Sequence, residues 1–397
     1  RVNRVPLSLW ERVAVIERPH PHSLSPEGEG SEVAFGHPWP TRHLCILHIA
    51  VRASRDSGMI GGAMIPGTAE LRQVPAWQTA LAHVVTQPGE LLRLVGLGEE
   101  WRAAAEAAAE AFPLRVPRGF VARMRRGDPT DPLLRQVLPL AAELQPAVGF
   151  GPDPVGDHAA QQAPGVLHKY TGRVLLTATG ACAVHCRYCF RRHFPYEEAN
   201  ASADGWRGAL EAIAADTSIT EVILSGGDPL TLSDRRLAEF VLQAATITHV
   251  TRLRLHSRLP VVLPERITTA LCDILISTRL RPVLVMHANH AQEIDISVQT
   301  ACERLTTYGI PLLNQSVLLR GVNDNLEALA DLSTTLFAAG VLPYYLHQLD
   351  RVQGAAHFEV PDEVARELHA TLHARLPGYL VPRLVREIPG AAGKTSL

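Results

Sequence analysis

From residue 165 onward the chain repeats one rhythm, a short apolar run and then a helical stretch, and nothing else in the sequence narrows the fold so far. Apolar runs fall at 174–178, 221–225, 252–256, 282–287, 312–319 and 344–347. Helix-prone stretches at 205–215, 233–245, 264–276, 291–308 and 326–339 lie between them. Strands alternating with helices predict a parallel sheet joined by right-handed crossovers. The six units are too few to close an eight-stranded barrel, so the expected class is α/β, an open, partial (β/α)6 barrel. In such folds chemistry gathers at the C-terminal ends of the strands.

The stretch before the barrel reads as helical. Trp77, Leu81, Val84 and Val85 fall on one helical face, Leu91, Leu92, Leu94 and Val95 follow a break at Pro88-Gly89, and the run from Trp101 to Glu110 is alanine-rich. Pro117 opens a further short helix towards Met124. Residues 59–150 are therefore expected to form an N-terminal helical domain, 151–350 the barrel and 351–397 a C-terminal segment, with the Pro-, Gly- and Asp-rich 146–164 as a linker. Residues 1–58 look foreign to the rest. The first methionine is Met59, and Pro19-His-Pro-His-Ser-Leu-Ser-Pro shows no periodicity. Leu7-Ser-Leu-Trp-Glu-Arg-Val resembles translated intergenic repeat sequence of bacterial genomes. The expectation is a disordered or artefactual leader, with initiation at Met59 or Met64, which N-terminal sequencing of native protein checks.

Six cysteines are unevenly spread: Cys45, Cys272 and Cys302 stand alone, while Cys182, Cys186 and Cys189 share one loop as C-x3-C-x2-C, directly after the first apolar run. That is not a disulfide framework. Thiolates so close on one loop can meet at a metal centre. Three of them suit an iron–sulfur cluster that lacks its fourth protein ligand and so leaves one iron open to a small molecule. The alternatives are zinc, with His185 or His193 as fourth ligand, and three ordinary buried cysteines. A net charge of -2 gives no basic balance for nucleic acid or a membrane surface. No apolar run approaches the roughly 18 residues of a membrane span, and no secretory signal is evident. The expected compartment is the reducing cytoplasm, which an oxygen-sensitive cluster also needs.

Polar motifs close the later strands. Ser225-Gly226-Gly227-Asp228 ends the second, where two glycines let backbone approach a ligand and exposed N–H groups can receive a carboxylate. His256-Ser257-Arg258 ends the third, His287-Ala-Asn289-His290 the fourth, and Gln315 and Ser316 lie on the fifth. Structural hydrogen bonding is the alternative for each. Together with the cysteine spacing, these motifs resemble the radical S-adenosylmethionine (SAM) enzymes. The resemblance implies a [4Fe–4S] cluster on Cys182, Cys186 and Cys189, SAM on its open iron, and Ser225, Gly226, Gly227, Asp228, His287 and Asn289 around SAM.

Longer motifs narrow the resemblance. His168-Lys-Tyr-Thr-Gly-Arg-Val, Cys182 to Arg192, Leu313-Asn-Gln-Ser-Val-Leu-Leu-Arg-Gly-Val-Asn-Asp, Pro343-Tyr-Tyr-Leu-His-Gln-Leu-Asp and Gly393-Lys-Thr are similar to the lysine 2,3-aminomutase family. Arg115-Val-Pro-Arg, Phe190-Arg-Arg-His-Phe-Pro-Tyr and Val352-Gln-Gly-Ala-Ala-His-Phe resemble its EpmB branch, which makes (R)-β-lysine for elongation factor P. The resemblance runs from Trp77 to the last residue. It implies pyridoxal 5'-phosphate (PLP) on Lys394, with Tyr170, Arg173 and Gln315 beside the cofactor. His347 stands where some relatives have tyrosine. By the same resemblance Arg191 takes the carboxylate of L-lysine, and Asp350 and Glu387 take its ε-ammonium. Glu387 departs from the aspartate of the fermentative enzymes by one methylene. Without the resemblance, Lys394 would read as part of a solvated tail. The implied partners are an electron donor such as flavodoxin and a ligase that attaches β-lysine to elongation factor P; a homo-oligomer is allowed. Free β-lysine as product, another amino acid as substrate, or a non-catalytic iron–sulfur or zinc protein are the competing readings.

Overall fold

The computed structural model describes residues 74–397 apart from 198, 203 and 205, so the leader at 1–58 and Cys45 lie outside the described residues. All six predicted strands are present and parallel: β3 (Arg173–Thr179), β4 (Glu221–Gly226), β5 (Arg252–Ser257), β6 (Arg281–Met286), β7 (Leu312–Val317) and β8 (Leu342–His347). A seventh parallel strand, β9 (Arg383–Arg386), follows, and a two-residue strand, β10 (Thr395–Ser396), returns antiparallel to it. At the other edge a meander of β1 (Gln161–Ala163) and β2 (Val166–Tyr170) pairs antiparallel with β3. The order β1 to β10 leaves the sheet open, as a partial barrel.

The helices on the outside are α6 (Arg207–Ala215), α7 (Asp234–Ala244), α8 (Leu259–Val262), α9 (Thr269–Ile276), α10 (Ile296–Thr307), α11 (Leu326–Ala338) and α12 (Asp362–Arg375). Several of their starts are written into the sequence as N-caps. Thr268, Asp295 and Asn325 each accept the backbone N–H three residues on, at 3.1, 3.0 and 2.9 Å. Strand alternation then separates core from site. Along β5, Leu253 and Leu255 enter the core shared with the helices, while Arg254 and His256 point the other way, into the barrel. The inward faces of β4, β7 and β8 likewise carry Ser225, Gln315 and His347. The barrel interior is therefore polar, with Arg254 and Glu221 paired between the neighbouring strands β5 and β4 at 3.0 and 2.7 Å.

Upstream lie α1 (Ala76–Ala82), α2 (Pro88–Val95), α3 (Arg102–Ala111), α4 (Arg118–Val121) and α5 (Pro132–Arg135). Helix α1 is shorter than the apolar spacing suggests. Val84 and Val85 lie beyond it, where Val85, fully buried, bridges Val116. The predicted linker at 146–164 is tied into the protein, because Gly151 bridges Val352, Asp157 is buried and β1 begins at Gln161. The described residues belong to one compact unit, whose main core runs from Trp77 to Val341.

Candidate active site at the mouth of the barrel

The cysteine loop begins where β3 ends, and it is braced before any ligand is considered. Gly227 N–H donates to Thr179 O at 2.7 Å and Asp228 N–H to Ala181 O at 2.8 Å. A Cβ on Gly227 would stand 2.4 Å from Ala181 O, and Gly226 sits at φ +111, so both glycines are required by the loop itself. The N–H groups of Gly227 and Asp228 thus tie the motif to the end of β3 and to the start of the cysteine loop. Asp228 is likewise committed. Its carboxylate accepts from Leu230 N, Ser257 Oγ, Arg258 N and Leu259 N, and burial raises its pKa to about 6 against those hydrogen bonds. From the other side Arg187, fully buried, pairs with Glu143 through Nε at 2.8 Å and Nη2 at 2.5 Å, and Arg192 joins the same carboxylate at 2.9 Å. The lead-in segment therefore anchors the loop.

Cys182, Cys186 and Cys189 are half-buried, whereas Cys272 and Cys302 are core residues. Burial and the neighbouring sulfurs push Cys182 up, and burial and Cys186 push Cys189 to about 11. A cationic centre removes that mutual cost by holding the thiolates deprotonated. Among the described residues no three metal-ligating side chains converge on a single ion. A polynuclear cluster asks for something else, since each thiolate binds a different iron. Of the histidines that zinc would call on, His185 holds Pro113 O through Nδ1 at 2.8 Å and His193 holds Gln353 O through Nε2 at 3.2 Å, each keeping its other ring nitrogen. The donor set fits the cluster.

Lys394 is brought to the barrel by β10. Pairing of Thr395 with Arg386 sets Lys394 beside Glu387, and their side chains meet at 2.7 Å. The lysine is half-buried, 5.7 Å over the Tyr345 ring, and is not a solvated tail. Burial, helped by the Lys394 ammonium, drives His347 and His256 well down; burial, Arg258 and Lys394 take His287 to about 3. These imidazoles are neutral near pH 7. Gln315 Nε2 lies 2.7 Å from His287 Nε2, and His347 shares the same face. His256 Nε2 is buried and makes no hydrogen bond, and the Tyr170 hydroxyl is buried beside the Glu387 carboxylate, where burial and that carboxylate both raise its pKa. Arg173 stacks 4.7 Å over the Tyr170 ring, and among the described residues no carboxylate pairs with it. A guanidinium with no carboxylate partner on the Tyr170 ring, and a phenol and a lysine that both stand beside Glu387, fit an aromatic phosphate cofactor.

Two residues that the sequence reading left unassigned link these halves. Lys169 Nζ reaches Asp157 Oδ1 at 2.6 Å, Glu387 Oε1 at 2.9 Å and Val155 O at 2.8 Å. Asp157 Oδ2 in turn holds Arg191 Nε at 2.6 Å, and Arg191 Nη1 donates to Ser225 Oγ at 3.2 Å. Alternating charges thus run Arg191, Asp157, Lys169, Glu387, Lys394. Burial would raise Glu387, but Lys394 and Lys169 hold it down at about 2. Asp350 has no such cation in contact, and burial and Glu387 push it up to about 7. Asn289 is turned inward. Its Nδ2 donates to Gln136 Oε1 and Tyr188 Oη, and its Oδ1 accepts from Val317 N.

No family model matches the chain. It is 52% identical over 322 residues to the L-lysine 2,3-aminomutase of Escherichia coli, covering 81% of this chain and 94% of that protein. It is 46% identical over 332 residues to the L-lysine 2,3-aminomutase of Haemophilus influenzae, covering 84% and 98%. Among solved structures, a radical SAM methyltransferase from Sphaerobacter thermophilus matches with a TM-score of 0.41 and 18% identity over 58% of this chain and 72% of that one.

Proposed function

The chain belongs to the L-lysine 2,3-aminomutase family, and we propose on that premise that it moves the 2-amino group of L-lysine to C3 with a [4Fe–4S] cluster, SAM and PLP. The observation that carries this reading is Lys394, which a short C-terminal strand delivers into the same polar mouth that the cysteine loop closes. Cys182, Cys186 and Cys189 would hold the cluster, with SAM on its open iron near Ser225 and His287. Lys394 would hold PLP, with Tyr170, Arg173 and Gln315 against it. When bound, the cluster and SAM supply hydrogen abstraction at C3, and PLP supplies a conjugated system that spreads the unpaired electron during migration.

The chain's own residues position the substrate. Arg191, held by Asp157 and Ser225, keeps Nη2 for the substrate carboxylate. Asp350 receives the ε-ammonium, because a cation beside it reverses the burial penalty that keeps it near pKa 7. Glu387 Oε2 is held by Lys394 in this structure; once that nitrogen is committed to the cofactor, the oxygen is the second acceptor. The neutral imidazoles of His256, His287 and His347 give the cavity polar walls without a competing charge.

The EpmB-type motifs extend the reading to (R)-β-lysine as product, a ligase acting on elongation factor P as its user, and a flavodoxin-like electron donor. An oxygen-sensitive cluster places this work in the cytoplasm; among the described residues no helix is long and apolar enough to cross a membrane. Of the N-terminal helical domain at 59–150 we assign the described residues to loop anchoring, with 151–350 given to the barrel chemistry and 351–397 to cofactor attachment. The test is spectroscopic. Wild-type protein with PLP should show an absorbance band that borohydride fixes to the chain, and Lys394→Ala should lose it while keeping its iron. A band fixed equally in Lys394→Ala contradicts the assignment.

A further inference from the structure

Arg258 follows β5 and is left unassigned by every role above. Its side chain is 6% exposed, and its backbone N–H is fixed by Asp228 Oδ2 at 2.7 Å. Nη1 donates to the sulfur of Cys186 at 2.7 Å and also to the Tyr188 hydroxyl. Nη2 donates to Gln136 Oε1 at 2.7 Å and to Glu293 Oε2 at 3.2 Å. Gln136 and Glu293 are themselves fully buried and joined at 3.0 Å, so the guanidinium is clamped from the far side. A buried cation would be well satisfied by carboxylates alone. Here a single carboxylate meets Nη2, and Nη1 is turned instead to a cysteine sulfur and a phenol.

We propose that Arg258 is a positioning residue for the iron–sulfur cluster, acting through the Cys186 sulfur to make the cluster easier to reduce, with Gln136 of the lead-in segment aiming it. This rests on the cluster reading given above. Reduction adds negative charge to the cluster and its sulfurs. A charged N–H donor on one sulfur stabilises the reduced form more than the oxidised form and raises the potential. The lead-in helices then do more than brace the loop, since Gln136, the residue after α5, holds the donor in place.

The experiment is an anaerobic redox titration of the reconstituted full chain without SAM, read by the electron paramagnetic resonance signal of the reduced cluster, with iron and sulfide assayed on each sample. Arg258→Gln is expected to keep its cluster and to shift the midpoint to more negative potential, with Arg258→Lys between it and wild type. Gln136→Met, which leaves Arg258 in place but removes one clamp, is expected to shift the same way by less. If Arg258→Gln fails to retain a cluster, the Gln136→Met shift decides. Full clusters at the wild-type midpoint in both variants overturn the inference and leave the cluster reading standing. A wild-type chain that takes up no iron overturns that reading, and the inference with it.

Discussion

Between Asp350 and Glu387 the same burial has opposite results, and the difference lies in which cations are near. Lys169 and Lys394 outweigh burial at Glu387 and hold it at about 2, while Asp350, facing Glu387 without a paired cation, rises to about 7. The free enzyme should therefore bind lysine poorly below that pH, with Asp350 neutral. We expect kcat/KM to climb as pH rises through about 7, and Asp350→Asn to flatten that limb. The stability sign is the reverse. A carboxyl raised in the native state binds more protons there than in the unfolded chain between about pH 4 and pH 7, so its contribution to stability falls as pH rises across that window. Thermal unfolding of wild type and Asp350→Asn on either side of the window checks this. Arg191→Lys, which loses the planar fork, should raise KM for lysine on the order of tenfold with a smaller change in kcat. At this scale the cysteines, Lys394 and the acids were legible because their types and order form motifs. Asp157 and Lys169 were not, because an ion-pair chain joining residues 157, 169, 191, 387 and 394 leaves no local pattern.

Elements were legible wherever an apolar run was long enough to set a period. All six predicted strands stand close to where the runs place them, and α9, α10 and α11 begin at Thr, Asp and Asn caps. Strand β9 was missed because four residues, Arg-Leu-Val-Arg, offer too little periodicity, and β10 because two residues offer none. Yet these two decide where Lys394 goes. Ending the chain after Pro389 should abolish PLP attachment and leave iron content unchanged, measured on the same reconstituted sample. The Gly-Gly motif, read in the sequence as a place where backbone can approach a ligand, also ties β4 to the end of β3 through Gly227 N–H and Thr179 O. Gly227→Ala pushes a Cβ to 2.4 Å from Ala181 O. It should cost about 1–3 kcal/mol of stability and reduce iron uptake, read by thermal unfolding and iron assay.

At the scale of the molecule, segments distant in sequence are brought to the same sheet. The lead-in segment holds the cysteine loop through Glu143 and Gln136, and the C-terminal hairpin delivers the lysine, so neither half of the site is complete within the barrel alone. In the proposed reaction both halves act on one molecule of lysine. The direct measurement is anaerobic reconstitution with iron, sulfide, PLP, SAM and a reductant, followed by chiral analysis of the product from L-lysine. The account predicts β-lysine of R configuration, formed only when all three cofactors are present. Formation of β-lysine with any one of them omitted, or no amino migration from a chain carrying full iron and PLP, would contradict it.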